Sequence, residues 1–535
     1  MSSSLGDPEK FTANHWFYTV LLMRRAATLS SALLALPVAL LTTSTLVPGS
    51  AGAQSSGSLG SSGLGSLGSS ESSGPCNSFL GNFPPNSLGV NLTTGSLANA
   101  ANSVAGAAAS SVRDFPRWIT GDQGTIPVLK GATSVIQLVT GPTSPAKTDS
   151  MYDIYGTDLG IMFEHGNETM VMFGDTFGDC TPTGNAWRSN VMLTAESGAP
   201  TSGLKITGAR PSGADGVATA LVQGAHQANG AGEVTVIPTA AISVNGTMYM
   251  RVMSVRDWNA PGGWNTNYSA LVKSTDSGRT WKILTASMRR VTNFNGFNPT
   301  VLFEPGRDTL PPVDNGWYGM QMSAFVERDG YLYEYMTPSG RQGPAILARV
   351  PTNQIEEPSA YRWFKGGNTW DSNPTGSRVI LPAPVEELSV AHNEHLDQFV
   401  LLTSMASGVV SMRVADNPEG PWSAPQTLVD RRMFPNAYAP MIHPASITSD
   451  GRHLFYALST WDAYNVFLLR TDLTEFDFDL PDTDTHTAVE ARVTVADAVE
   501  AGAINDEGVI DEQRLEEVAV VSPAEPEPIA EPTGR

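Results

Sequence analysis

Between residues 159 and 471 apolar and polar positions alternate in short runs, and the runs come in pairs joined by turn residues. In the first pair Leu159, Ile161 and Phe163 alternate on the way in, and Val171 and Phe173 on the way out. Gly166-Asn167 lies between them, a two-residue turn type, so the pattern predicts a β-hairpin. The same pattern returns at 237–244 and 247–254 around Asn245-Gly246, and at 320–327 and 331–335 around Asp329-Gly330. It returns again at 388–392 and 398–404 around a longer turn, and at 439–448 and 452–459 around Asp450-Gly451. Each pair is followed by a third run, at 189–195, 268–274, 344–350, 409–415 and 465–471. The turns recur at irregular intervals of roughly 55 to 85 residues, the signature of radially repeated four-stranded units. The expected fold is all-β: a five-bladed β-propeller over residues 117–484.

The flanks read differently. Met23-Arg24-Arg25 opens a basic stretch, 32–46 is apolar, and Ala51-Gly52-Ala53 fits a cleavage site, so residues 1–53 read as a secretory signal peptide with Met23 as the true start. Pro37 and the Thr/Ser cluster at 42–45 make a poor membrane-spanning helix. The expectation is a secreted or cell-wall-associated protein with no stable membrane insertion after cleavage. Residues 54–116 read as a Gly/Ser-rich linker and low-complexity segment. Residues 485–535 read as a disordered acidic tail, because they lack aromatics and carry many acids.

The first hairpin also carries the candidate chemistry. If His165 pairs with Glu168, uninterrupted register sets Asp158 opposite Asp175. Directly opposed residues share a face with Cβ atoms about 4.5–5.5 Å apart, where two like charges repel. Paired carboxylates are the equipment of acid–base glycoside hydrolysis, and their separation decides the stereochemical outcome. The bland alternatives are a cation site or one Asp capping a turn. The start of each first strand and the end of each second strand share one end of a propeller. That end collects Arg188, Asn190, Asp257, Trp258, Trp264, Asn293, Arg341, Glu386, Glu387, Tyr438, His443 and Trp461 as candidate substrate-binding residues. Indole faces stack on sugars while carboxylates and amides bond their hydroxyls. Several have bland readings too: a tryptophan covering a loop, Arg341 bracing a turn, His443 as a buried histidine. Glu386 and Glu387 are adjacent, so strand alternation admits only one to the channel.

Residues 274–281, S-T-D-S-G-R-T-W, resemble the Asp-box hairpin of sialidase-like propellers and read as structural, so Asp276 is given no chemistry. Thirty-two basic against 53 acidic residues give a net charge of −21, which argues against nucleic acid or an anionic membrane as partner. Two cysteines, Cys76 and Cys180, fit no metal spacing. In an exported chain they would form one disulfide; the alternative is two free thiols. No P-loop, dinucleotide fingerprint, zinc-protease or nucleophile-elbow motif is present, and neither a cofactor nor a metal is expected.

G-T-D-L-G at 156–160, F-G-D-T-F at 173–177 and W-R-S-N at 187–190 resemble a secreted actinobacterial family first called domain of unknown function 4185. So do Arg341, L-A-R-V-P at 347–351, D-N-P-E-G-P-W at 416–422 and the stretch 461–468. The resemblance spans roughly 130–475. It implies a five-bladed propeller glycoside hydrolase, an endo-D-arabinanase acting on the D-arabinan of mycobacterial-type arabinogalactan and lipoarabinomannan. The family's paired aspartates fall on Asp158 and Asp175. The implied partner is a cell-wall polysaccharide, and a monomer is expected. The alternatives are a non-catalytic glycan-binding propeller and a hydrolase of another furanoside such as L-arabinan.

Overall fold

The computed structural model describes residues 124–141, 147–178, 187–213, 215–260, 263–291, 319–405, 408–447, 451–461, 463–478 and 486–521. The expected signal peptide and linker, Cys76, Cys180 and Asn293 lie outside these residues.

The chain enters through β1 (Thr125–Gly131) and β2 (Thr133–Leu138), then a short helix α1 (Thr148–Tyr152). Blade one holds β3 (Leu159–His165) and β4 (Glu168–Phe173), a small side pair β5 (Thr176–Phe177) and β6 (Trp187–Arg188), then β7 (Val191–Glu196) and β8 (Ile206–Ala209). Blade two is β9 (Thr235–Val244), β10 (Thr247–Ala260), β11 (Gly263–Ser274) and β12 (Lys282–Arg290). Blade three is β13 (Met320–Arg328), β14 (Tyr331–Pro338) and β15 (Ala345–Pro351), extended by β16 (Arg362–Gly366), β17 (Thr369–Asp371) and β18 (Val379–Leu381). Blade four is β19 (Leu388–Asn393), β20 (Gln398–Met405), β21 (Val409–Ala415) and β22 (Gln426–Val429). Blade five is β23 (Ala437–Ile442), β24 (His453–Thr460) and β25 (Asn465–Asp472), completed by β2 from the other end of the chain.

These five sheets form a five-bladed β-propeller. The inner strands β3, β9, β13, β19 and β23 touch in sequence, and β23 returns to β3, closing the ring. Buried side chains fill the layers between neighbouring blades, as between β9–β11 and β13–β15, because each sheet must bury both faces. The Asp box closes the β11–β12 connection: Asp276 accepts from the Thr280 backbone at 2.9 Å and from its hydroxyl at 2.6 Å.

Two expectations are corrected here. The first hairpin keeps His165 opposite Glu168, but Gly160 forms a bulge, so Leu159 faces Phe173 while Ile161 faces Met172. The shift sets Asp158 opposite Gly174, whose N–H donates to the Asp158 carbonyl at 3.2 Å. A single extra residue in one strand does this. Leu159 takes φ +73 and Gly160 φ +83, and the Leu159 N–H is held by Ser459 Oγ at 2.8 Å. A Cβ on Gly160 would stand 3.0 Å from Ala457 Cβ, so the bulge needs glycine.

The second correction concerns the tail. Residues 486–521 are not disordered: they form β26 (Thr487–Thr494), α2 (Val495–Glu500) and α3 (Glu512–Val521). β26 pairs antiparallel with β1, and Ile510 N–H donates to the Ile136 carbonyl on the outer edge of β2. Val493, Val495, Ile504, Ile510 and Leu515 are buried against Ile126, Val128 and Val135. Burial of such side chains stabilises by about 1.5–3 kcal/mol each. Composition hid this because the apolar residues are few and spaced among acids, yet enough to cap one sheet edge that would otherwise be open.

Candidate active site

The bulge and the strand that follows it place two carboxylates at the same end of the channel. Asp158 leads into β3 and Asp175 follows β4. Gly174 is the close approach between them: a Cβ there would lie 2.3 Å from Asp158 Oδ1. The β5–β6 pair, with Phe177 opposite Trp187, carries the Trp187 indole to Asp175.

The two acids are bonded unequally. Asp175 Oδ1 accepts from Trp187 Nε1 at 2.8 Å and from Thr235 Oγ1, the first residue of β9. Asp158 Oδ2 accepts from the Tyr438 phenol at 2.9 Å, while its Oδ1 is buried with no donor among the described residues. Tyr464 donates to the Asp175 carbonyl at 3.1 Å. Burial pushes the Asp158 carboxyl up to about 8, and the Asp175 charge adds to it. Burial also raises Asp175, to about 7, against the opposing hydrogen bonds from Thr235 and Trp187. Two buried carboxylates side by side cannot both ionise freely, and the one with fewer donors keeps the proton longer.

Blades two to five supply the rest. Arg341, beyond β14, gives Nη2 to Glu387 Oε1 at 2.7 Å and stands 3.8 Å from Glu386 Oε2. Its guanidinium lies 5.3 Å from the Trp264 ring centre and 5.2 Å from that of Tyr438. Both glutamates therefore meet Arg341, contrary to the alternation argument, because they precede β19 and strand pleating does not govern them. Burial raises Glu386 to about 7, with Arg341 opposing. Trp461 stands edge-on to Tyr464 at 5.7 Å and to Tyr438 at 6.4 Å. On the blade-two side Trp258 stands edge-on to Trp264 at 5.7 Å. Asp257 is occupied by Asn265 at 2.9 Å and Arg256 at 3.0 Å.

Three predicted contacts are placed elsewhere. Arg188 is buried and donates to the carbonyls of Tyr152, Asp153 and Ala218, so it ties α1 to the β5–β6 pair. Asn190 spends its amide on the Val222 and Val236 carbonyls and the Leu221 and Val222 N–H groups. His443 lies at the far end of the propeller, because β23 stops at Ile442. Pro444 cannot extend the ladder, and the Ala445 N–H turns back to His443 Nδ1 at 3.0 Å. Conversely, Thr235, Trp187 and Tyr464 were not singled out. Trp187 lies in the W-R-S-N motif, and Thr235 lies two residues before the alternation that marks β9 begins.

Among the described residues no group of three or more His, Cys, Asp or Glu is arranged to hold a metal ion. The sequence profile described as Domain of unknown function (DUF4185) matches residues 143–470. The chain belongs to the DUF4185 family. This DUF4185 protein is 27% identical over 330 residues to Notoamide biosynthesis cluster protein J of Aspergillus sp. (strain MF297-2), covering 58% of this chain and 80% of that one. Among solved structures it is similar to a family 117 glycoside hydrolase of the marine bacterium Zobellia galactanivorans. The identity is 10% and the TM-score 0.38, over 67% of this chain and 95% of that one. It is also similar to an exo-β-1,3-galactanase of Phanerochaete chrysosporium, with 9% identity and a TM-score of 0.37, over 68% and 70%. Likeness at this level says nothing of the DUF4185 protein's substrate.

Proposed function

We propose that this protein is a secreted glycoside hydrolase, endo-acting on the D-arabinofuranosyl linkages of mycobacterial-type arabinogalactan and lipoarabinomannan. Asp158 is the general acid and Asp175 the base or nucleophile. The observation that carries the reading is the uneven bonding of the two carboxylates. Asp175 holds two donors on one oxygen, which favour its ionised form, whereas Asp158 has a buried oxygen with none among the described residues. Environments that push two titratable groups apart assign acid and base. Glu386 and Glu387 meet Arg341, and Asp158 and Asp175 stand beside each other, a surplus of carboxylates that suits an uncharged sugar and a cationic transition state. Trp258 of blade two and Trp461 of blade five are only partly buried and offer surface for sugar rings. The D-arabinan assignment is supported by the G-T-D-L-G, F-G-D-T-F and W-R-S-N motifs.

The test is incubation with purified mycobacterial arabinogalactan, D-arabinan and L-arabinan, followed by analysis of the released oligosaccharides. Internal cleavage of the D-arabinan is the expected result. Cleavage of L-arabinan alone would move the substrate to another furanoside. Binding without release would leave a glycan-binding propeller.

A further inference from the structure

We propose that Arg341 is a positioning residue: clamped between two rings and held by Glu387, it fixes the Tyr438 phenol on Asp158 and so aims the acid. The inference rests on Asp158 as the acid. Its basis is a convergence of all five blades. Arg341 comes from blade three, Trp264 from blade two, Glu387 from the entry to blade four and Tyr438 from blade five. Blade one supplies Asp158.

The arginine is spoken for. Its Nε donates to both Glu387 oxygens at 3.1 Å and its Nη2 to Oε1 at 2.7 Å. Glu387 is itself held by Ser404 Oγ at 3.2 Å. The two ring contacts at 5.3 Å and 5.2 Å cover the guanidinium. Trp264 cannot yield, being buried with its indole N–H on Met253 Sδ at 3.3 Å. About a fifth of the side chain stays exposed, 21%, so a sugar hydroxyl meets only the part that Glu387 and the two rings leave open. What the guanidinium does reach is the ring of Tyr438, and the phenol of that ring donates to Asp158 Oδ2 at 2.9 Å. A planar cation can sit between two rings; an ammonium cannot fill the same layer.

The groups facing Asp158 are Asp175 after β4, Glu387 before β19, Arg341 after β14, Tyr438 on β23 and Tyr464 at the start of β25. Of these, the Tyr438 hydrogen bond and the Arg341 charge favour ionised Asp158, while Asp175 and Glu387 oppose it. Arg341→Lys keeps the charge and loses the flat face. Loosening Tyr438 then removes a donor from the carboxylate, and Asp158 holds its proton to higher pH.

The experiment compares wild type, Arg341→Lys, Tyr438→Phe and the double variant on D-arabinan across pH. Each single variant should lower kcat about tenfold, the scale of a misplaced acid. KM should stay within about twofold, and the alkaline limb of kcat/KM should move up by roughly half a unit or more, the expected direction on losing a donor to the charged form. The double variant should move no further than Tyr438→Phe alone, because both act through one hydrogen bond. A large rise in KM with the limb unmoved would make Arg341 a substrate contact and overturn the proposal. So would additive shifts, or a lowered melting temperature with an unmoved limb. If the wild type turns over no glycan, the hydrolase reading fails separately, and the same titration is read from melting temperature against pH. Asp158→Asn must then remove the high-pH step and Arg341→Lys must displace it; a step that stays put overturns the positioning role.

Discussion

The indole of Trp187 donates to Asp175 Oδ1 at 2.8 Å, and among the described residues no counterpart reaches Asp158 Oδ1. If Asp175 must be ionised to act, this bond sets the acid limb of the activity profile. Trp187→Phe removes the donor and leaves much of the ring, so Asp175 should protonate at higher pH. The acid limb of kcat/KM should rise by about one unit, since a hydrogen bond to a charged group is worth about 1.5–3 kcal/mol and a unit is 1.36 kcal/mol. A pH series on the variant checks this; an unmoved acid limb would detach Trp187 from the chemistry.

Asp158→Asn and Asp175→Asn keep shape and remove charge. Each should lower kcat on D-arabinan by at least ~10²-fold. The double variant should be scarcely worse than the worse single variant, because the pair acts as a unit. Circular dichroism should show all three folded. Turnover within a few-fold of wild type in both single variants would remove the pair from the mechanism, and Glu386 would be examined next.

Asp158, Asp175 and Glu386 are all raised by burial, to about 8, 7 and 7. A carboxyl raised on folding binds more protons in the native than in the unfolded state over the interval between its two pKa values. Stability is therefore fullest below the ordinary carboxylate range, about pH 4, and falls as pH rises toward about 8. Melting temperature should decline across that window, less the part set by other groups. In Asp158→Asn the decline should be shallower. Scanning calorimetry in a buffer series reads both slopes, and equal slopes would contradict the buried-acid account.

Truncation after Thr485 removes β26, α2 and α3. It uncovers Ile126, Val128 and Val135 and frees the edge of β2. Melting temperature should fall by more than ~5 °C, given about 2–4 °C per kcal/mol in a large domain. An unchanged transition would show that the C-terminal cap contributes no stability.

The repeat of alternating runs made the propeller legible, because strand period and turn dipeptides are local properties. The Asp158 and Asp175 pair was legible for a reason that needed correction: Gly160 shifts the register, and only three-dimensional packing against Ala457 and Val466 fixes such a bulge. Arg188 and Asn190 misled because a polar residue in a motif looks the same whether it serves a ligand or a carbonyl. Tyr438 bonds Asp158 only through ring closure, which spacing along the chain does not announce, while Thr235 comes from the neighbouring blade, two residues before the alternation that marks its strand. The capped edge around Ile510 and Leu515 was illegible for the opposite reason: its apolar residues are too sparse to form a pattern of their own.

β2 and β25 are made at opposite ends of synthesis, with Ser134 and Arg470, joined at 3.3 Å, separated by 336 positions. The last blade therefore cannot be completed until nearly the whole polypeptide has left the ribosome. Free energy is not the obstacle. Closing a loop of that length costs only roughly 2 kcal/mol more than closing one of 30 residues, since the entropy grows with the logarithm of length. Time is the obstacle: a strand made early is among the last to find its partner, and topologies dominated by such distant pairings fold slowly. Until then β2 stands without its partner, and the two acids at the end of the channel lack Tyr438 and Tyr464. The two carboxylates thus gain their blade-five partners only late in folding.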